Sequence, residues 1–264
     1  MNLSKLLLKN KKTFFKDKKR QGTWIDSVKH LEHSATFDDL HRCVNNKNIN
    51  KKVLKRDNPG TFYKMLLEKY KDIHRYSTQL IGTDEILFNG SIMRLYFIQL
   101  ERLIRDTESN SLLDYGSGKG EMELEYIKNK LNLSSIGSYE PGLEKKANLP
   151  VDKADIVTCF DVLEHVHIAD LFWVIEELFS RAKKIVFCSV STRLAIAQFV
   201  DGGQVHITVN PPAWWRGVFD STSSKYPGVQ WVLVTEGPNS DGFQVFDWFT
   251  NRDLDKLHCF YDDK

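Results

Sequence analysis

The chain has 264 residues, of which 41% are hydrophobic and 27% charged, with a formal net charge of +2. That supports one sizeable core with an appendage and excludes a disordered or collagen-like chain. No stretch approaches the roughly 20 consecutive apolar residues of a membrane span, and the apolar run at Leu6, Leu7 and Leu8 is too short for a signal peptide, so a cytoplasmic protein is expected.

Residues 1–60 carry 15 Lys/Arg against 6 Asp/Glu. The segment is Lys- and Asn-rich and weakly periodic, and reads as helical pieces of an N-terminal extension spanning residues 1–84. Its charge suits either a solvated helical face or contact with a membrane surface or a polyanion such as nucleic acid. Residues 61–76 continue with helix formers. In residues 85–106, Met93, Phe97, Leu100 and Ile104 recur at helical spacing. This helix opens a second region, residues 85–264, where the pattern alternates. Strands are predicted at residues 111–115, 134–140, 154–160 and 184–190, with helices at 121–131 and 170–182 between them. The run Ala-Asp-Ile-Val-Thr-Cys-Phe at 154–160 is continuous and β-branched, as buried parallel strands are. Residues 229–235 and 243–249 suit an antiparallel C-terminal edge pair. The pattern predicts a doubly wound, mostly parallel Rossmann-like α/β sheet. The four cysteines, Cys43, Cys159, Cys188 and Cys259, form no CxxC pair. Cys159 and Cys188 fall in buried strands, which fits a reducing compartment.

The segment Leu113-Asp114-Tyr115-Gly116-Ser117-Gly118-Lys119-Gly120 runs from a strand through a glycine-rich turn into a helix, at the carboxyl end of the strand where open sheets bind ligands. A dinucleotide loop would leave its helix N-terminus open for pyrophosphate. Here Glu121 and Glu123 crowd that position, which suits a cofactor without phosphates. Glu140 ends the second strand, where a carboxylate takes ribose hydroxyls.

This set resembles the class I S-adenosylmethionine (SAM)-dependent methyltransferases. LDYGSGKG is similar to their first motif, Ser138-Tyr139-Glu140-Pro141 to their second, and residues 149–166 to their fourth-strand motif. The resemblance implies that Asp114, Gly116, Ser117 and Gly118 hold the amino-acid end of SAM. It also implies that Glu140 and Pro141 flank the ribose, and that Phe160 and Asp161 lie beside the sulfonium. The family inserts a helix and a strand before the fourth strand. Residues 141–153 are too few for both, so this unit is predicted to be reduced to a loop, with Asn148 or Leu149 as candidates beside the adenine.

Methyl transfer requires alignment of the acceptor and, for an alcohol, removal of its proton. Asp161, Glu164 and His165 form a D-x-x-E-H cluster that, with His206, offers ligands for a divalent metal. It resembles the E-x-x-E-H arrangement of metal-dependent O-methyltransferases, including the small-RNA 3′-end 2′-O-methyltransferases and ubiquinone-pathway enzymes, with Asp161 in place of the first Glu. The alternative is that His165 caps or packs locally. His206 opens the segment H-x-T-x-x-P-P-x-W-W, which resembles a group of bacterial and viral methyltransferases. His206, Asp161 and His165 are the candidate catalytic residues, and Trp214 and Trp215 candidate walls for the acceptor. The bland reading makes the tryptophans core and His206 a turn cap. Asn210-Pro211-Pro212-Ala213 lacks the aromatic of an amino-group methylation motif and follows the wrong strand.

The leading expectation is O-methylation of a small molecule, sugar or glycan precursor. A nucleic-acid methyltransferase of the RNA 2′-O type, gripping phosphates through residues 1–60, is an alternative. A SAM-binding scaffold or regulatory protein without turnover is the third reading.

Overall fold

The computed structural model describes residues 53–76, 80–81, 91–238, 242 and 244–252. The chain divides into two compact units, Met1–Lys52 and Val53–Lys264. The first, which carries most of the basic run, lies outside the described residues, as do Cys43, Cys259 and the start of the predicted helix at residues 85–90. Among the described residues no helix is long and apolar enough to cross a membrane.

The second unit is built on helix α1 (Thr61–Tyr76), strand β1 (Leu80–Ile81), α2 (Phe97–Asp106), β2 (Ser111–Tyr115), α3 (Glu121–Lys130), β3 (Ser135–Tyr139), β4 (Ala154–Phe160), α4 (Ile168–Arg181), β5 (Ala182–Ser191), β6 (Gln198–Phe199), α5 (Pro212–Ser223), β7 (Gln230–Pro238) and β8 (Gln244–Thr250). Six strands form one sheet in the order β3-β2-β4-β5-β7-β8. The neighbours are parallel except for β7 and β8, which run antiparallel at the C-terminal edge. The short strands β1 and β6 pair separately.

Strand alternation sorts the core into two layers. Leu113, Tyr115, Val157, Cys159, Val186 and Cys188 pack under α4 and α5. Leu112, Ile156, Phe160, Ile185 and Phe187 pack under α2 and α3. Both faces of the sheet are therefore covered, and the fold is Rossmann-like and doubly wound. Residues 141–153 hold a single 3₁₀ turn, Glu144–Lys146, so the helix and strand expected to be missing here are absent and β3 is the sheet edge. Met93 belongs to a 3₁₀ turn, Ser91–Tyr96, and the α-helix begins only at Phe97.

Helix α1, which the sequence pattern placed in the extension, is part of this unit. Leu66, Ile73 and His74 are buried at helical spacing. Its approach is fixed by Gly60, whose amide donates to Asp170 Oδ1 at 2.8 Å, and by Arg56. The Arg56 guanidinium is held by both oxygens of Glu177 on α4 and donates to the hydroxyl of Tyr139 at 2.6 Å.

Candidate functional site

The chain turns to β3 on one side of β2 and then crosses to β4 on the other. The carboxyl ends of β2 and β4 therefore meet at the point where strand order reverses, the usual ligand crevice of an open sheet. After β2 the backbone enters the left-handed region at Gly116 (φ 79°) and Gly118 (φ 53°). A Cβ on Gly116 would lie 2.3 Å from Val162 Cγ2, so the turn demands glycine on two counts. The amides of Gly116 and Ser117 both donate to the Tyr139 carbonyl, at 2.7 and 3.1 Å.

Asp114 and Glu140 flank this turn. Asp114 is buried, and Thr158 donates to its Oδ1 at 2.9 Å. Burial pushes its carboxyl up to about 7, opposed by the Thr158 hydrogen bond and the Lys146 ammonium. Glu140 accepts the amide of Gly118 on Oε2 at 3.2 Å and that of Gly142 on Oε1 at 2.9 Å. The buried Lys146, from the shortened loop, donates to the Gly118 carbonyl at 2.9 Å. The loop that replaces the missing helix and strand thus supplies a strut for the glycine turn. Pro141 is half-buried beside Glu140, Asn148 is exposed, and Leu149 packs against the core. The side chains of Glu121 and Glu123 lie outside what is described.

At the end of β4 the sequence candidates part company. Phe160 is turned into an aromatic cluster, stacked on Tyr96 at 4.8 Å and edge-on to Phe187 at 4.9 Å. Asp161 adopts φ 53°, a left-handed conformation that Asp tolerates better than most side chains. Its amide donates to Ser189 Oγ at 3.1 Å, and that hydroxyl donates back to Asp161 Oδ1 at 2.9 Å. Burial raises the Asp161 carboxyl to about 6; the Ser189 hydrogen bond opposes this, and Glu236 adds to it.

Glu164, His165 and His206 converge. A 3₁₀ turn, Leu163–His165, follows Asp161. The Glu164 carbonyl accepts the amides of Ile207 and Thr208 at 2.9 and 3.0 Å, and the Thr208 hydroxyl donates to the Val166 carbonyl at 2.6 Å. These bonds bring His206 against His165. One ligand atom from each of the three side chains lies within 4.8 Å of the others. Asp161 is not part of this group, so of the four sequence candidates for a metal three come together and the fourth is bound to Ser189.

The polarity of the trio is informative. Glu164 is fully buried; Ser191 donates its amide to Oε1 at 2.8 Å, while Oε2 has no hydrogen-bond partner among the described residues. Desolvation, then the nearby Asp161 charge, pushes its carboxyl well up. His165 Nδ1 lies 2.9 Å from the Val205 carbonyl, and His206 Nδ1 lies 2.8 Å from the Arg193 carbonyl. A carbonyl only accepts, so both rings carry their proton on Nδ1 and their lone pair on Nε2. Burial holds His165 down to about 3 and also lowers His206.

Both tryptophans lie in α5, which starts at Pro212, where a missing amide proton is harmless. Trp215 is fully buried in the core under α4 and presents no surface to an acceptor. Trp214 is half-buried against Phe172 and Trp215. Four residues absent from the sequence reading lie at the site: Lys146, Ser189, Tyr70 and His74. The Tyr70 hydroxyl is 2.8 Å from His165 Nδ1, and His74 Nε2 is 3.6 Å from Glu140 Oε1. Nothing local marks them, because each acts across the fold.

Among solved structures, the DhpI–SAH complex aligns with 15% identity and a TM-score of 0.28, over 75% of this chain and 84% of that one. PigF with SAH aligns with 12% identity and a TM-score of 0.23, over 69% of this chain and 54% of that one. No family model matches the chain, and no curated protein matches it.

Proposed function

We propose that the chain is a SAM-dependent methyltransferase acting on an oxygen of a small molecule, sugar or glycan precursor. The observation that carries this reading is the pair of carboxylates around the glycine turn. Asp114 lies near the carboxyl end of β2 and Glu140 just after the adjacent β3, and Glu140 is aimed by the amides of Gly118 and Gly142. An acidic cradle of this kind repels phosphate and suits a cofactor with an ammonium, a sulfonium and a ribose diol. SAM, when bound there, supplies an already activated methyl group. Asp114 with Gly116, Ser117 and Gly118 would hold the amino-acid end, and Glu140 beside Pro141 the ribose. Asp161, raised to about 6 by burial, suits the group that receives the acceptor's proton near neutral pH.

The same reading includes a divalent metal held by Glu164, His165 and His206. Its support is the fully buried Oε2 of Glu164, which has no hydrogen-bond partner among the described residues, and the two imidazoles whose Nδ1 protons are committed to backbone carbonyls. Two imidazole nitrogens and a carboxyl oxygen within 4.8 Å of one another make a ligand set of the kind that holds a divalent cation. Such an ion supplies Lewis acidity toward an acceptor oxygen.

A transfer assay with radiolabelled SAM over sugars, glycans, small alcohols, nucleotides and RNA tests the reading. Label in a hydroxyl-bearing small molecule or glycan, lost with chelator and restored by a divalent ion, is expected. Label in RNA alone would favour nucleic acid instead. SAH binding with no transfer to any class would favour a scaffold.

A further inference from the structure

Helix α1 turns one face toward both halves of the site. Tyr70 and His74 are one helical turn apart, so their side chains lie on the same face. Tyr70 reaches the reaction end: its hydroxyl sits 2.8 Å from His165 Nδ1 and donates to the Val205 carbonyl at 3.3 Å, the carbonyl that also takes the His165 proton. The two rings meet edge to face at 5.7 Å. His74 reaches the donor end. Its Nε2 is 3.6 Å from Glu140 Oε1, and its ring fills the space over Gly142, where a Cβ would come within 2.7 Å of His74 Cδ2. The helix is anchored at its start by the Gly60–Asp170 bond and by stacking of Phe62 on His167 at 4.8 Å.

We propose that α1 is a wall of the site, in which His74 is a cofactor-site residue beside the ribose carboxylate Glu140 and Tyr70 is a positioning residue for His165. This inference rests on the donor reading above. A reacting sulfonium must lie between the ribose and the acceptor, which is the interval that one turn of α1 spans. Because a helix is stiff over a single turn, pressure at Glu140 is felt at His165 through the Tyr70–His74 step. Occupancy of the donor site is thereby linked to the orientation of the imidazole that faces the acceptor.

The test uses the full chain with SAH as the probe, read by calorimetry and by ¹⁵N NMR of the histidine rings, with the His165 signals assigned by their loss in His165→Gln. His74→Leu is expected to weaken SAH about tenfold, the effect of losing one polar contact to a charged group, and His74→Gln, which keeps a donor, to recover most of that loss. Adding SAH is expected to shift the His165 ring signals in the unaltered chain, and to shift them far less in Tyr70→Phe. Thermal melts identify any variant that has failed to fold. SAH affinity within twofold of the unaltered chain in His74→Leu, or equal His165 responses with and without the Tyr70 hydroxyl, would overturn the proposal while leaving the donor reading intact. An unaltered chain that does not bind SAH would instead sink the donor reading, and the wall with it.

Discussion

The imidazoles of His165 and His206 meet edge to face, ring centroids 4.8 Å apart, although they belong to different loops. The bond between them is indirect. The Glu164 carbonyl takes the amides of Ile207 and Thr208 and so staples the second loop to the turn that carries the first histidine. One backbone group therefore sets the spacing of both rings, while the carboxyl of the same residue lies within 4.8 Å of them.

Glu164→Gln should remove the only carboxylate of the trio. We expect the purified protein, incubated with a divalent ion and desalted, to retain no metal by elemental analysis, against about one equivalent in the parent. Thermal stability should hold within a few degrees, because the amide matches the carboxyl's shape and still accepts the Ser191 amide. Equal metal content in variant and parent would remove Glu164 from the ligand set.

Asp114 gives a pH signature. Its carboxyl is raised from 3.8 to about 7, so between roughly pH 4 and pH 7 the folded chain holds a proton that the unfolded chain has lost. The stability this contributes is full below about pH 4 and is lost as pH rises through 7, by ~1 kcal/mol per unit. Asp114→Asn lacks this slope, so its stability relative to the parent should grow from pH 5 to pH 8 in denaturant titrations. SAH binding should run the other way, weakening in the parent as pH falls below 7 and the partner of the ammonium is neutralised. Parallel stability profiles for the two proteins would contradict the assignment.

Gly116→Ala should be among the most damaging single methyl additions. It combines a left-handed backbone, about 1–2 kcal/mol for a residue with a Cβ, with a collision at 2.3 Å from Val162. A loss of ~2–4 kcal/mol is expected in urea titrations. Val162→Ala in the same chain should return the steric part only.

The two tryptophans should separate. Trp215→Ala opens a cavity in a fully buried site and should destabilise by about 3–5 kcal/mol. Trp214→Ala, at a half-buried position against the exposed Phe172, should lose clearly less in the same titrations. Similar losses at both positions would contradict the burial contrast.

The parallel strands, the glycine turn and the trimmed loop were legible because their signals are local. Buried strands read as apolar runs, and a turn after a strand needs glycine. The strands at 111–115 and 154–160 keep their predicted bounds, and other strand ends moved by one to three residues: the predicted strand at 184–190 extends over Ala182–Ser191 because Ala182 pairs with Ala154 of β4 and Ser191 with Glu236 of β7. The D-x-x-E-H spacing suggested a convergent cluster, but spacing alone does not reveal that the kink at Asp161 turns that side chain to Ser189. Strand alternation carries the Phe160 ring into the layer of Tyr96 and Phe187, which spacing alone does not show. Tyr70, His74 and Lys146 were invisible for a different reason. Each is an ordinary polar residue of a helix or turn, and it gains its role from a partner far along the chain.

The central claim is that the Asp114–Glu140 cradle is a SAM site, and titration of SAH into the full chain by calorimetry tests it most directly. A saturable one-to-one isotherm is expected, weakened at least tenfold by Glu140→Ala, which removes a charged acceptor of the ribose hydroxyls. No heat and no thermal shift at millimolar SAH, or binding indifferent to Glu140→Ala, would contradict it.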